Sequence, residues 1–454
     1  MKHLAETLRQ YGWTLSGSDL NVTPQQQVTL TDLGIAVKQG HAVEHLPVDC
    51  ELVIYSAAIP ETNPERTAAT NRQIPLLSYV EVLSRLMASR FGISVAGTHG
   101  KSSTTAMIGH ILTQAGHAPL TLLGADVIAV TGKSISSHSP TLPAAPQYCV
   151  VESCEFRRHF LQLQPQAAVL TGVEADHFDC YPNLASARAA YAEFLQRLPR
   201  GGPCVVSADD PWAIDQARQL GHQPVTYSAI RSQADWSARN VAQRGQEFEL
   251  WQNERQIGTI RWSQLGLHQV ANAVGAAALC GNLGIATEQI VVGLNSFPGL
   301  RRRLESRGTR AGVHFYDDYG HHPTSIAAVL GTLRSELTSG RLWCVFQPHQ
   351  VSRTRALMAE FAQSLQSADD VFLLPVFGAR ESVTEEFVST SEELTLRIRA
   401  LGGAAQLLRQ FSELTPLLET APQPGDIVVT VGAGDIDRIY HEFTRPVQRD
   451  HEVR

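Results

Sequence analysis

Short runs of apolar and β-branched residues alternate along this 454-residue chain with longer segments of helical periodicity. Strands that are joined through helices form βαβ units, and these units build parallel sheets, so the alternation predicts an α/β fold. At about 100–200 residues per domain, the length predicts two to four domains, with three as the central expectation. The predicted strands lie at residues 51–57, 91–97, 148–153, 167–173, 203–208, 341–348, 370–377 and 426–434.

Two segments interrupt this pattern and predict domain boundaries. Residues 88–92 (ASRFG) separate a helical pattern from a new strand, and residues 295–308 (NSFPGLRRRLESRG) combine Pro and Gly with an arginine run. The Ser/Pro-rich residues 133–147 predict an exposed loop inside the middle domain. We therefore expect domains over residues 1–90, 91–297 and 298–454.

Charge, hydropathy and cysteine content narrow the function classes. The net charge of −7 argues against a nucleic-acid coat or a polybasic membrane anchor. No run approaches the roughly 18 apolar residues that a membrane span needs. The seven cysteines are odd in number and form no C-x-x-C pair, which favours a reducing cytoplasm over a disulfide framework. We expect neither a nucleic acid nor a membrane as a partner.

The most specific local motif is a buried strand that runs into a glycine-rich loop and then a helix, over residues 93–112 (ISVAGTHGKSSTTAMIGHIL). Glycines let backbone N–H groups wrap a phosphate, and the helix N-terminus adds partial positive charge. The ammonium of Lys101 would reach the β- and γ-phosphates, and the Ser102 hydroxyl would bind Mg²⁺. The pattern G-x-x-x-x-G-K-[ST] is not met strictly, because Val95 stands at its first position. The predicted ATP-binding loop comprises Gly97, Thr98, His99, Gly100, Lys101, Ser102 and Ser103.

Acidic residues follow two other predicted strands. Glu152 ends one of them and Glu155 comes next, and a carboxylate at a strand end beside a phosphate loop can hold Mg²⁺ directly. Taken alone, Glu152 is equally compatible with a structural carboxylate. The residues just past the following strand include Glu174, Asp176, His177 and Asp179. Open α/β sheets bind ligands at the carboxyl ends of their strands, so all these side chains are candidates for one site.

Six segments, in order along the chain, resemble the Mur ligases, which are ATP-dependent ligases of peptidoglycan precursor synthesis. The match is nearest to the branch that adds the first amino acid, and the DDYGHHPT pattern is its most specific part. The segments are SGSD (16–19), AGTHGKSSTTAM (96–107), VEADHFDCY (173–181), LGLHQVANAVGAAA (265–278), FYDDYGHHPTSI (315–326) and FQPHQVSRTR (346–355).

The resemblance implies a three-domain α/β enzyme. A Rossmann-like amino-terminal domain would hold the UDP end, a central P-loop ATPase-like domain with a parallel or mixed sheet would bind ATP, and a Rossmann-like carboxyl-terminal domain would bring in the amino acid. The implied reaction joins L-alanine to the lactyl carboxylate of UDP-N-acetylmuramate through an acyl phosphate, with ATP and Mg²⁺, in a cytoplasmic monomer or homodimer. The family's first domain opens with a strand and a G-I-G-G-x-G-M loop. Met1 matches the end of that loop, so we expect this domain to lack both.

Residue roles carry over only where the sequence matches the family's motifs. The resemblance implies catalytic roles for Lys101, Glu152, His177, Arg303 and His321, and Mg²⁺ contacts for Ser102, Glu152 and His177. It implies further ATP contacts for His268, Asn272, Arg303 and Asp317. It implies amino-acid contacts for Tyr319, His321, His349 and Arg353, and UDP-sugar contacts for Ser16, Asp19 and Ser56.

Two departures from the family pattern bear on the substrate. The family's H-R-Y-T-R reads HQVSR at 349–353, so one arginine is replaced by Gln350 and a carboxylate clamp is weakened. A murein-peptide ligase, which would attach a recycled tripeptide to the same UDP-sugar, is therefore one alternative, and a non-catalytic nucleotide-binding relative is another. Some relatives carry a carbamylated lysine in the central domain. Here no lysine follows Lys133, which favours the alanine-adding branch.

Overall fold

The computed structural model describes residues 1–22, 24–125, 127–128, 148–379, 381 and 385–442. The predicted exposed loop at 133–147 lies outside these residues. Among the helices within them, none is both long enough and apolar enough to cross a membrane.

Helices and strands alternate along the described chain, as the sequence predicts. The helices are α1 (Lys2–Gln10), α2 (Pro24–Asp32), α3 (Pro64–Asn71), α4 (Tyr79–Ala88), α5 (Lys101–Gln114), α6 (Leu184–Leu195), α7 (Pro211–Gln219), α8 (Leu267–Asn282), α9 (Thr287–Asn295), α10 (Pro323–Glu336), α11 (Val351–Ala356), α12 (Met358–Leu365), α13 (Glu385–Ala400), α14 (Leu414–Thr420) and α15 (Ile439–Glu442). The strands are β1 (Ser16–Asp19), β2 (Ala36–Gln39), β3 (Val53–Tyr55), β4 (Leu76–Ser78), β5 (Phe91–Ala96), β6 (Leu120–Leu122), β7 (Tyr148–Glu152), β8 (Ala167–Leu170), β9 (Cys204–Ser207), β10 (Val225–Ser228), β11 (Trp236–Arg239), β12 (Glu247–Gln252), β13 (Arg255–Arg261), β14 (Glu305–Arg310), β15 (Val313–Asp318), β16 (Leu342–Phe346), β17 (Asp370–Leu373), β18 (Ala405–Leu407) and β19 (Ile427–Val431).

A nine-stranded sheet with the order β13-β12-β11-β10-β9-β8-β5-β7-β6 forms the central domain. Neighbouring strands between β6 and β11 pair in parallel. The pairs β11–β12 and β12–β13 are antiparallel. β5 is flanked by β7 and β8, and all three are buried apolar runs, as expected for strands covered on both faces. Their carboxyl ends therefore bring the glycine-rich loop, Glu152 and the segment after β8 to one edge of the sheet.

A six-stranded sheet with the order β14-β15-β19-β16-β17-β18 forms the carboxyl-terminal domain. All its pairs are parallel except β14 with β15. β15 ends at Asp318, and the chain then passes through 319–322 into α10. β16 ends at Phe346 and leads through 347–350 into α11. Both connections carry predicted site residues.

The amino-terminal region contains two separate parallel pairs, β1 with β2 and β3 with β4, in place of one continuous sheet. Helices α1 and α4 supply most of its apolar core, through residues such as Leu4, Leu8, Leu83 and Met87. The predicted α/β class with parallel and mixed sheets is confirmed by these arrangements.

Candidate active site

Two glycines shape the predicted phosphate loop between β5 and α5. Gly97 has φ 133°, and a Cβ there would overlap the side chain of Thr171. Gly100 has φ 77°, and a Cβ there would overlap the amide of Asn272. Both positions combine a left-handed backbone with close approach of a neighbour, so only glycine fits without strain. The loop is thus held in one shape by the central domain itself.

Lys101, the first residue of α5, points back across this loop. Its Nζ donates to the carbonyls of Gly97 and Thr98, at 2.5 and 3.2 Å, and to Oε1 of Glu155 at 3.0 Å. Burial alone would lower the pKa of Lys101, but the neighbouring acids, Glu155 foremost, outweigh it and raise the pKa. Lys101 is therefore a fixed positive charge at the start of a helix, where a phosphate would bind. Glu155 is its buried counter-ion, a pairing that the sequence analysis did not predict.

Ser102 and Glu152 meet at the carboxyl edge of the sheet. The Ser102 hydroxyl donates to Glu152 Oε1 at 2.8 Å, and the backbone N–H of Gly124 donates to the other carboxylate oxygen at 2.8 Å. A hydroxyl and a carboxylate supply the oxygen ligands that Mg²⁺ prefers, so this pair fits a magnesium ion. His177 contacts a different acid: its Nε2 lies 3.6 Å from Oε1 of Glu155.

Arg303 reaches this edge from the carboxyl-terminal domain. Its Nη2 donates to the Ser102 hydroxyl at 3.0 Å, across 201 positions of sequence. Its guanidinium also lies 5.1 Å from the ring centroid of Tyr319. A second positive charge from another domain therefore lies next to the phosphate loop. Arg303 and Ser102, to which the resemblance gives separate roles, thus contact each other in the structure.

Two of the implied ATP contacts, His268 and Asn272, lie on α8, which packs against α5. Asn272 accepts from Thr104 Oγ1 at 3.4 Å, and its amide N–H donates to Gln269 at 3.3 Å. Burial, and then the charge of Arg303, lowers the pKa of His268 to about 4. His268 is therefore neutral at pH 7, and it offers an apolar ring with an acceptor nitrogen.

The low pKa of His268 predicts a loss of stability in acid. An unfolded histidine takes up a proton near pH 6.5 while the folded one resists until about pH 4, so folding is penalised as pH falls through this window. By this linkage, His268 weakens folding by about 2 kcal/mol at pH 5. His268→Gln should lose correspondingly less stability than wild type between pH 7 and 5 in urea unfolding. His314→Gln, at an exposed position, is the matched control. Equal pH dependence of wild type and His268→Gln would contradict the assignment.

The four predicted amino-acid-binding residues come together at the start of α10 and α11. The rings of Tyr319 and His321 lie 5.5 Å apart, and those of His321 and His349 lie 5.9 Å apart. Arg353 Nη1 lies 3.1 Å from His349 Nδ1. Burial, and then the charge of Arg353, holds the pKa of His321 well below its usual range. The cluster thus pairs a cation for a carboxylate with a neutral imidazole beside it.

Asp176 of the central domain enters this cluster. Its Oδ1 accepts from Arg353 Nε at 2.6 Å, and the two side chains are 6% and 2% exposed. Burial alone would raise the pKa of Asp176, but Arg353, His177 and His321 together hold it far below its usual range. The next residue, His177, adopts a left-handed backbone with φ 52° and donates its N–H to the same carboxylate. This interdomain ion pair was not predicted from sequence.

The two adjacent aspartates of the DDYG segment have different surroundings. Asp317, the predicted nucleotide contact, is buried, accepts from Thr430 Oγ1 at 2.8 Å and lies 3.4 Å from Arg302. Asp318 accepts from the backbone N–H groups of Leu304, at 2.7 Å, and Gly320, at 2.6 Å. Asp318 therefore fixes the turn that presents Arg303, whereas no contact recorded among the described residues joins Asp317 to the phosphate loop. Its nucleotide role stays a prediction.

The predicted UDP-sugar residues lie in the amino-terminal region. Ser16 and Asp19 are exposed at the two ends of β1, and Asp19 accepts from Asn21 N–H at 3.0 Å. Ser56 follows β3, and its hydroxyl accepts from Ala58 N–H at 3.3 Å. Their role as ligand contacts stays a prediction.

Fold and site together define a nucleotide-dependent α/β enzyme whose phosphate loop is completed by charges from a second domain. Comparison with known proteins narrows this class. Residues 95–280 match the Mur ligase middle domain, residues 302–434 match the Mur ligase glutamate ligase domain, and residues 1–91 match the Mur ligase family catalytic domain. The chain therefore belongs to the Mur ligase family, as the sequence resemblance predicts.

Individual relatives agree over nearly the whole chain. A UDP-N-acetylmuramate–L-alanine ligase of Salinibacter ruber is 35% identical over 99% of this chain and 93% of its own length. The ligase of the same name in Caldicellulosiruptor bescii is 35% identical over 96% and 94%. Among solved structures, the UDP-N-acetylmuramate-alanine ligase of Thermotoga maritima superposes with a TM-score of 0.79 at 23% identity, covering 98% of this chain and 95% of that one. A murein peptide ligase of Psychrobacter arcticus gives 0.74 at 25% identity, covering 97% and 95%.

Proposed function

We propose that this chain is an ATP-dependent ligase that joins L-alanine to the lactyl carboxylate of UDP-N-acetylmuramate in peptidoglycan precursor synthesis, in the cytoplasm. The carrying observation is the meeting of two domains at the phosphate loop, where Arg303 donates to Ser102 beside the Lys101 ammonium. Full-length relatives with this activity in their names support the substrate pair. The retained lysine, serine and Glu152 argue against a non-catalytic relative.

The lactyl carboxylate of UDP-N-acetylmuramate is a poor electrophile. A carboxylate does not react with an amine, so a carboxylate oxygen first attacks the γ-phosphorus of ATP, and ADP leaves. The product is an acyl phosphate. Lys101 and Arg303 offset the charge that gathers on the transferred phosphoryl group, and their preorganised positions make that stabilisation effective. Mg²⁺, held by Ser102 and Glu152, would screen the phosphate charges when bound.

The second step forms the amide bond. The neutral amine of L-alanine attacks the acyl carbon, the C–N bond forms, and phosphate leaves with one oxygen from the original carboxylate. We assign Arg353 to the alanine carboxylate: its Nε bonds Asp176 and its Nη1 bonds His349, so Nη2 is the donor that serves the substrate. His321 Nδ1 donates to the Tyr319 carbonyl at 3.0 Å, which leaves Nε2 as a hydrogen-bond acceptor that can orient the amine of L-alanine. Contact between the two domains excludes water that would hydrolyse the acyl phosphate.

A murein-peptide ligase is the second candidate, because Gln350 replaces one arginine of the family's motif. Gln350 is only 2% exposed, and its backbone N–H donates to the Phe377 carbonyl at 3.0 Å. Gln350 is thus packed inside the domain. The relatives whose names specify L-alanine support alanine as the acceptor.

ADP release in the presence of UDP-N-acetylmuramate tests the acceptor. We expect turnover with L-alanine, weaker turnover with glycine or L-serine, and none with the tripeptide, because Arg353 is buried and already pairs with Asp176, which leaves one donor nitrogen for a single small carboxylate. The assay is a coupled measurement of ADP, with each acceptor omitted in turn as the control. Turnover with the tripeptide alone would select the second candidate and exclude the first.

A further inference from the structure

Three consecutive residues of the central domain, Glu174, Ala175 and Asp176, each bind a different side chain of the carboxyl-terminal domain. Thr324 Oγ1 donates to Glu174 Oε2 at 2.6 Å, and His322 Nε2 donates to the Ala175 carbonyl at 3.2 Å. Asp176 accepts from Arg353, as described above. We call residues 174–176 the docking segment. Three residues separate it from the end of β8, so it lies at the same sheet edge that carries the phosphate loop.

The docking segment is also tied to the phosphate loop. The backbone N–H of Glu174 donates to the Thr98 hydroxyl at 2.9 Å. The Glu174 carboxylate lies 3.5 Å from Nε2 of His99, and Nδ1 of His99 lies 3.3 Å from the Ser325 hydroxyl. Glu174 therefore contacts the loop through its backbone and the other domain through its side chain. His99, which belongs to the loop, contacts Glu174 and Ser325.

From these contacts we propose that Glu174 is a positioning residue that makes docking of the carboxyl-terminal domain and ordering of the phosphate loop a single event. This inference rests on the proposed function, because it assigns to closure the delivery of L-alanine to the acyl phosphate. When the first turn of α10 moves away from Glu174, His99 loses its contact with Ser325. Glu174 loses its hydrogen bond from Thr324 at the same time. Arg303 and Arg353 leave with the same domain. Bound ATP would then lack the two arginines that the proposed reaction requires.

A metal ion is the competing explanation for this cluster. The ligand atoms of His99, Glu174 and His322 lie within 4.8 Å of one another, which is a donor set for a transition metal. Both nitrogens of His322 already serve protein groups, however, because Nδ1 accepts from Thr324 N–H at 3.3 Å and Nε2 donates to Ala175. The Glu174 oxygen that faces both rings also accepts from Thr324. A hydrogen-bonded latch uses these groups as they stand, whereas a metal would have to displace two of these bonds.

Electrostatics favours a carboxylate at this place. Burial alone would raise the pKa of Glu174. The pKa is instead lowered to about 2 by hydrogen bonds and charges from His99, Thr324 and His322. Glu174 is thus ionised over the whole working pH range. An ionised acceptor strengthens the bond from Thr324, and an amide in its place would keep the acceptor but lose the charge.

The test uses Thr324→Val, Glu174→Gln and Glu174→Ala in the full chain. Hydrogen exchange of residues 322–326 reports docking without requiring catalysis. We expect faster exchange in all three variants. We also expect a KM for L-alanine raised about 3- to 10-fold, the value of one hydrogen bond, with the alanine variant worst and the glutamine variant partly rescued. The dissociation constant for ADP should rise by a comparable factor, because the proposed coupling leaves the phosphate loop less ordered when docking is weakened.

Matched controls remove the same chemistry within a single domain. Thr420→Val deletes a hydroxyl whose hydrogen bond, within the described residues, goes to the Pro416 carbonyl of its own helix. Glu392→Gln neutralises an exposed partner of Arg409. Both should behave as wild type. Unchanged exchange and unchanged KM in Thr324→Val and Glu174→Gln would overturn the proposal. So would faster exchange of 322–326 on chelator treatment of wild type that Glu174→Gln abolishes, since that pattern requires a metal.

The outcome also separates this inference from the proposed function. If wild type makes no product with L-alanine but the variants still release residues 322–326, the ligase assignment fails while the coupling through Glu174 stands. If wild type is active and the variants match it in both readouts, the coupling fails while the ligase assignment stands.

Discussion

Replacing Lys101 with alanine is expected to reduce ATP turnover by about 10³-fold or more, the effect of removing one preorganised charge from a transition state. The ammonium lies at the start of α5, with Nζ within hydrogen-bond distance of two loop carbonyls and of Glu155. It is the single lysine of the chain in the phosphate loop, so no neighbouring lysine of that loop can substitute for it. The readout is ADP release under saturating substrates.

The variant needs a control for folding, because it leaves the Glu155 carboxylate buried without its partner. Glu155 is 4% exposed, and an isolated buried charge is strongly destabilising. The double variant Lys101→Ala with Glu155→Gln removes both charges and should recover the thermal midpoint but not the activity. Near wild-type ADP release by either variant would refute the phosphate-site assignment.

Replacing Arg353 with alanine is expected to have the second-largest effect, on stability and on alanine binding together. The side chain is 2% exposed and bonds Asp176 at 2.6 Å across the domain interface. Its loss leaves Asp176 ionised in a buried place, and breaking such a pair by removing one partner weakens folding or docking by about 3–5 kcal/mol. The KM for L-alanine should rise at least about 100-fold, since the amino-acid carboxylate loses its cationic partner.

A double-mutant cycle separates these two contributions. Asp176→Asn alone should destabilise the interface, and combining it with Arg353→Ala should cost less than the sum of the two single changes. The alanine KM should stay high in the double variant, because the substrate's cation is still absent. Arg353→Lys, which keeps the charge but not the fork, should recover stability only in part. Strict additivity in thermal unfolding would contradict a direct coupling between the two side chains.

The sequence was sufficient to predict the positions of those site residues that lie at the ends of strands. Gly97, Gly100 and Lys101 follow one strand, and Glu152 ends its neighbour, so the parallel sheet alone brings them together. The family resemblance predicted roles for residues of the DDYGHHP segment, which lie close together in sequence. The α/β class followed from the alternation of apolar runs and helices.

The interdomain contacts could not be predicted from the sequence. Asp176 and Arg353 are 177 positions apart, and Glu174 and Thr324 are 150 positions apart, so no local pattern joins them. Their pairing depends on how two separately folded sheets meet. The structural role of Asp318 was missed for a similar reason. Successive strand residues point to opposite faces, and only the structure shows that Asp318 holds the Arg303 turn.

The amino-terminal region is the other part that sequence reasoning left incomplete. Two separate parallel pairs stand where the resemblance implies one Rossmann-like sheet. Arg157 of the central domain donates to the Ala57 carbonyl at 3.1 Å, next to the predicted UDP contact Ser56. That contact ties the turn after β3 to the segment after β7, which carries Glu152 and Glu155. The UDP-sugar contacts in this region stay a prediction.

The central claim is the acyl phosphate, and oxygen transfer measures it most directly. UDP-N-acetylmuramate labelled with ¹⁸O in both lactyl carboxylate oxygens is incubated with ATP and L-alanine, and the released phosphate is analysed by mass spectrometry. The account predicts one ¹⁸O in each phosphate, because the oxygen that attacks the γ-phosphorus leaves with it when the amine displaces it. Phosphate without label, formed together with the alanyl product, would contradict the account.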